Sequence, residues 1–346
     1  MSMKGPVISV VLVCCTGLLI AVVAVPQFQP DRSVGALSSE LSTTEFSESH
    51  LDEPIKPLVA NLALDKNKVA LGKILFHDQR LSSDNSVSCS TCHTLHTGGT
   101  DNLFRSIGVD GQLGSVNAPT VFNSGFNSTQ FWDGRADTLE DQIDGPVHNP
   151  VEMGSSWPQI VRRLQADAAY PALFNRSYAD GITSNSIKDA IATFEHSLVT
   201  LNSPFDRYLR GELDAISENA KAGYATFKEF GCISCHQGQN VGGNVFQRLG
   251  VMGDYFGDRG TEITQSDFGR FNVTGLEEDK FVFRVPSLRL AALTPPYFHD
   301  GSVDTLQEAV RTMITYQLGR IATDEEERNI VEFIRSLAGE YEGRQL

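Results

Sequence analysis

Four cysteines and two histidines stand in one repeated arrangement, Cys89-Ser90-Thr91-Cys92-His93 and Cys232-Ile233-Ser234-Cys235-His236. C-x-x-C-H is the attachment pattern of a c-type haem. Two thiols one helical turn apart can each add to a haem vinyl group, and the adjacent imidazole reaches the iron from one side. Structural zinc asks for two C-x-x-C halves about 15–20 residues apart; these halves are much further apart, and each carries its own His. A thioredoxin-like pair needs a single C-x-x-C on a strand-to-helix turn. Neither alternative accounts for a His in the same place twice, so the pattern predicts two covalently bound c-type haems.

Other residues have side chains suited to haem chemistry. Met153, Met252 and Met313 can offer a thioether as a sixth ligand, which stabilises ferrous iron and raises the potential. Met313 closes an amphipathic stretch that starts at Leu306 and could present it, while Met252 sits in a glycine-flanked loop and ranks below it. Trp132, Gln142 and Glu152 lie in a long region rich in Gly, Asn, Asp and Pro, from Gly98 to Pro158. On spacing alone Trp132 reads as core before electron relay and Glu152 as a solvated acid, while Met313 reads equally as a packed methionine. A carboxylate beside an iron can instead shuttle a proton.

The elements that must position these groups are helical. Asp65 can cap a helix through Val69, Leu71, Ile74 and Leu75 that leads into the first motif. Ile187, Ala190, Ile191, Phe194 and Leu198 share a helical face, with His196 off it and therefore exposed. Ser217 caps a helix with Ala220, Gly223, Tyr224 and Phe227 inward, and Thr323 to Glu326 form a capping box opening a last helix that Gly339 would stop. The expected fold is mainly α, two cytochrome-c-like haem domains with long irregular loops. Its 346 residues divide as 1–25, a signal peptide or membrane anchor; 26–57, a flexible linker; and haem domains at 58–211 and 212–346. Lys4 followed by the apolar run Val7–Val25 places the remainder outside the cytoplasm, in the periplasm, whether the run is cleaved or left as a tether. His50, in the linker, reads as solvated. The net charge of −15 disfavours nucleic acid, whose phosphates would be repelled.

Taken together, the motifs resemble the bacterial diheme cytochrome c peroxidases over nearly the whole chain after the linker. The matching stretches are Ala70–Phe76, Arg80-Leu81-Ser82, both haem motifs, Asn117–Val121, Phe131–Arg135, Asn149–Gly154, Arg284–Leu288 and Pro296–Ser302. The resemblance implies that His93 is the proximal ligand of a low-potential, peroxide-reducing haem. It implies that His236 and Met313 hold a high-potential, electron-accepting haem, with Trp132 between the two. Glu152 matches the acid/base beside the peroxide site, with Gln142 near it. Asn117, Thr294 and Pro296 match a calcium site, and His299 a residue near a haem propionate. The implied reaction reduces hydrogen peroxide with electrons from a small cytochrome c or copper protein, in a homodimer. Many family members carry a His after Ser-Ile-Gly that caps the peroxidatic iron at rest. Here Ser106-Ile107-Gly108 is followed by Val109, so no reductive activation is expected unless another residue caps the iron. Two other readings stand beside it. One is a diheme oxidase acting on Trp or Tyr of a partner protein, for which Tyr316 is relevant. The other is a non-catalytic electron-transfer cytochrome.

Overall fold

The computed structural model describes residues 53–60 and 63–346. The leader or anchor expected at 1–25, and the linker from 26 to 52 with His50, lie outside the described residues. Among the described residues no helix is long and apolar enough to cross a membrane.

The fold is mainly helical, and its two halves repeat one device. In the first, the Asp65 carboxylate accepts from the Asn67 and Lys68 N–H groups and starts the helix Lys66–Phe76. That helix crosses the helix Ser184–Ser197 at Gly72, where a Cβ would come within 1.9 Å of the Ala190 carbonyl oxygen. In the second, Ser217 caps the helix Glu218–Glu229 and Thr323 forms a capping box on the helix Asp324–Arg335. These two cross at Gly223, where a Cβ would lie 1.8 Å from the Asn329 carbonyl oxygen. Only glycine permits either crossing, and each crossing leads the chain into a C-x-x-C-H turn.

Leu71, Phe76, Ile187, Ile191 and Phe194 anchor one core; Phe205, Tyr224, Phe227 and Phe333 anchor the other. A third, smaller cluster joins Tyr255, Phe256 and Phe283 to Trp132. Two short antiparallel pairs complete the fold: Phe246–Arg248 with Val282–Arg284 in the register Phe246↔Arg284, and Glu340–Tyr341 with Arg344–Gln345.

The structure departs from the sequence reading in several places. The linker does not extend to Pro57: Ile55 is fully buried in the second core and bridges to Gly238, and Glu53 binds Tyr224 and Lys228. Phe205 and Leu209 belong to the second core, while Ala338 belongs to the first, so the cores are built from interleaved segments rather than meeting cleanly at 211/212. The region 98–158 is not all irregular. It contains the helix Leu139–His148, capped by Thr138, whose Leu139, Ile143 and Val147 are buried; Pro146 within it disguised the pattern. His196 is half-buried, not exposed, because the Ser124–Phe126 turn packs against it. Gly339 is not a helix stop: the helix ends at Arg335, and a Cβ at Gly339 would meet the Thr200 carbonyl oxygen at 2.5 Å. Ile74, 46 % exposed, lies on the outer face of its helix.

One ion pair ties the second half together. Arg289 and Asp206 are both 0 % exposed and joined by two hydrogen bonds of 3.0 and 2.9 Å. The same guanidinium donates to the Gln239 carbonyl just past the second haem motif and to the Lys56 carbonyl. Asp206→Ala leaves this cation buried and unpaired. It is expected to cost about 3–5 kcal/mol of stability in denaturant unfolding, whereas removal of the exposed Lys73–Glu342 pair should change it by less than about 1 kcal/mol.

Candidate active site

Each C-x-x-C-H turn opens onto a cavity. The first, about 360 Å³, is lined by Cys89, Cys92 and His93 together with Gln142, Glu152 and Met153. The second, about 270 Å³, is lined by Cys232, Cys235, His236 and Met313. All four thiols are free, and burial pushes those of Cys92 and Cys232 up to about 11, so they are held as neutral thiols. In both turns the His Nδ1–H donates to a backbone carbonyl 3.3 Å away, Gly99 for His93 and Val241 for His236. That bond fixes the tautomer and leaves Nε2 as the free donor atom facing the cavity. Burial lowers the pKa of both imidazoles, that of His236 to about 4, so both are neutral as metal ligands must be. Paired thiols, a neutral imidazole and an apolar cavity fit a c-type haem in each place.

Met313 lines the second cavity together with His236. The helix Leu306–Thr312 passes into a π-helical turn, Met313–Gln317, and that widened turn presents Met313 to the cavity. Tyr316, one turn on, instead packs edge-on to Tyr255 with 5.5 Å between centroids. Met252 is 61 % exposed and lines neither cavity.

The cavities share a wall of Asn117, Ala118, Pro119, Thr120, Trp132 and Arg284. Trp132 is fixed there by its indole N–H, which donates to the Asn117 carbonyl at 3.0 Å, and it stands edge-on to His299 at 6.4 Å. His299 is buried on the wall of the second cavity with Nε2 2.7 Å from the Asp267 carboxylate. Burial pushes that carboxyl up, yet hydrogen bonds from His299, Arg259 and Thr264 outweigh it and hold Asp267 well below the usual range. Asp267, His299 and Asp300 gather as a metal site would, but Arg259 pairs with both carboxylates and supplies the positive charge. Asn117, Thr294 and Pro296 also line the second cavity. Among the described residues no hydrogen bond uses Asn117 Oδ1 or the Thr294 and Pro296 carbonyls, which leaves three oxygens of the kind calcium takes.

Glu152 follows the helix Leu139–His148, in a turn that brings it to the first cavity beside Gln142. One carboxylate oxygen accepts from Asn149 Nδ2 at 2.6 Å. Burial raises its pKa, the Asn149 bond opposing, so the group can take and release a proton nearer neutrality than a free acid. Val109, where a capping His was sought, is buried, and its N–H donates to the Glu152 carbonyl at 2.9 Å. Among the described residues lining the first cavity, His93 is the only histidine.

Residues 66–214 match the family model described as di-haem cytochrome c peroxidase. The chain is 47 % identical over 302 residues to the cytochrome c peroxidase Ccp of Escherichia coli, a match covering 87 % of this chain and 64 % of that protein's length, just under two thirds. It is 43 % identical to the cytochrome c551 peroxidase of Nitrosomonas europaea, covering 84 % of this chain and 85 % of the relative. Among solved structures, a MauG-like protein associated with microbial copper homeostasis superposes with a TM-score of 0.70 at 29 % identity, over 82 % of this chain and 93 % of that one.

The chain belongs to the di-haem cytochrome c peroxidase family.

With membership come the enzyme class, a cytochrome c peroxidase, and two c-type haems, one for each donor set. Two residues of this peroxidase's site carried no assigned role in the sequence. Arg284 appeared only inside a matching stretch, yet it is 4 % exposed, lines both cavities, and among the described residues its side chain makes a single hydrogen bond, Nε–H to the Phe131 carbonyl. Glu195 was passed over although it falls four residues after Ile191, on the apolar face of its helix. The spacing that marked that face marked the acid too.

The loop Ser106–Gly114 and the Glu152 turn are in contact at Gly108, where a Cβ would come within 2.1 Å of the Val151 carbonyl oxygen. Gly108→Ala must push the Glu152 turn away. It should lower kcat on the order of 10²-fold while both haem absorption bands remain, measured by steady-state peroxide consumption.

Proposed function

We propose that this peroxidase reduces hydrogen peroxide to two waters in the first cavity, with two electrons that a small redox protein delivers to the second. The observation that carries this is Glu152: a buried carboxyl with one oxygen fixed by Asn149, in the same cavity as His93, where no second histidine stands to occupy the iron.

Cys89, Cys92 and His93 would hold one haem; Cys232, Cys235, His236 and Met313 the other. When bound, the haems supply the electron storage and the iron-centred redox chemistry. The residues do the rest. Peroxide would bind in the first cavity, which Gln142 and Glu152 also line. Glu152 takes a proton from the inner peroxide oxygen and returns it to the outer one, which becomes a good leaving group as water. Gln142, on the neighbouring helix, orients the peroxide by hydrogen bonding. Trp132, in the wall between the cavities and fixed by Asn117, carries the electron from one to the other. Met313 would keep the second site at high potential, and Arg284 and His299 would meet the carboxylates of bound haem. Calcium at Asn117, Thr294 and Pro296 would stiffen the wall that holds Trp132, since Asn117 serves both. Met313 rather than Tyr316 at the second cavity disfavours the protein-oxidising reading, and Glu152 and Gln142 would have no purpose in a plain electron carrier. A cytochrome c or copper protein with a basic docking face suits the acidic chain. A periplasmic location, and a homodimer, complete the proposal.

Two measurements test it. Glu152→Gln should lower kcat roughly 10²- to 10⁴-fold with both haem spectra nearly unchanged; full activity would discard the assignment. The fully oxidised protein should consume peroxide without a lag and show a high-spin first haem by electron paramagnetic resonance. A low-spin first haem, active only after half-reduction, would mean that another residue caps the iron.

A further inference from the structure

Glu195 is the titratable group in the first cavity that neither haem attachment nor the transfer at Glu152 uses. It is 6 % exposed, lines the cavity, and its Oε2 has no hydrogen-bond partner among the described residues. Its helix is otherwise apolar on this side, with Ile187, Ile191 and Phe194 buried, so a leucine there would simply continue the core. A buried carboxyl with an unmet oxygen costs stability instead. Ser124 lines the same cavity, and its Oγ is also buried without a partner. The turn that carries Ser124 packs on the helix that carries Glu195: a Cβ at Gly125 would lie 2.5 Å from His196 Nδ1. Each is an unmet polar group in the wall of one cavity, where a buried water is the ordinary partner.

The reaction gives that place a purpose. Reducing peroxide to two waters consumes two protons and two electrons. Glu152 only relocates a proton that peroxide already carries, so the net protons must come through the cavity wall. We propose that Glu195, with Ser124, is the proton-loading acid of the first cavity, releasing its carboxyl proton through cavity water to the peroxide oxygen left behind, which takes up the two net protons in turn and becomes the second water. The acid's O–H bond breaks and an O–H bond of product water forms. Glu195 is left as the carboxylate and is reprotonated from solvent, while the electrons come from the redox partner. The inference rests on the peroxidase reading.

The electrostatics agree. Burial, and then the charge of Glu140 on the helix Leu139–His148, push the Glu195 carboxyl up to about 8, so it is loaded at neutral pH and empties above it. Cys89 is the other titratable group that feels it. Nearby cations on the packed helices are engaged elsewhere: Lys68 with Asp189, Lys73 with Glu342, Lys188 with Asp144, and Arg163 with the Arg80, Ser82 and Ser83 carbonyls.

The test uses the full-length holoprotein and its Glu195→Gln and Glu195→Asp variants. In the wild type, oxidised-minus-reduced infrared difference spectra should contain a protonated-carboxyl band that titrates near pH 8, and kcat should fall above that pH. Glu195→Gln should lose the band, lower kcat on the order of 10²-fold and lack the alkaline limb; Glu195→Asp should shift the band and recover part of the rate. Unchanged kcat and pH profile in Glu195→Gln overturn the proposal. If that variant fails to take up haem, Glu195→Asp decides: an unshifted band overturns the proposal, and a shifted band with partial activity supports it. Inactive Glu152→Gln beside fully active Glu195→Gln overturns this inference alone. A wild type that turns over no peroxide overturns the reading beneath it.

Discussion

A buried guanidinium without an acid sets the terms for the centre of this molecule. Arg284 lies in the wall common to both cavities, and burial pushes its pKa down to about 10. Arg289 shows how the same fold treats an arginine it can pair: Asp206 meets it with two hydrogen bonds. Leaving Arg284 unmatched is costly in a low-dielectric interior, unless anionic groups arrive with whatever fills the cavities. Each haem brings two carboxylates. Bound haem would supply that charge and so stabilise the wall that also positions Trp132 and Asn117.

Around that centre the two halves are variations on one plan. Each places a glycine where a leading helix crosses a closing helix, follows it with paired thiols, and pins the adjacent imidazole through Nδ1 to a backbone carbonyl. The differences lie opposite the histidine. The second half offers a thioether from a π-helical turn; the first offers a carboxyl, an amide and space. A shared scaffold thus presents a thioether in one cavity and a carboxyl and an amide in the other by changing a few residues opposite the motif.

The parts legible in the sequence were those carried by local pattern. The attachment motifs need no tertiary context, and the caps at Asp65, Ser217 and Thr323 fall where the hydrophobic periodicity begins. Trp132, Gln142 and Glu152 had plain alternative readings until the fold gathered them, because their chemistry depends on neighbours far away in sequence. Proline at 146 hid the helix that bears Gln142. Glu53 and Ile55 looked like linker because two anchoring residues in a polar stretch make no periodic signal. Arg284 and Glu195 went unassigned for a deeper reason: whether a charge is paired is a property of the folded interior, and nothing in one dimension reports it.

The hydrogen bond from Val109 to Glu152 has a consequence for how such an enzyme can be controlled. It is a main-chain bond that joins the loop at Val109 to the turn carrying Glu152. A loop so fastened cannot swing aside as a gate without carrying the acid with it. Selection among small ligands entering the first cavity then falls to the fixed polarity of its wall rather than to a swinging loop.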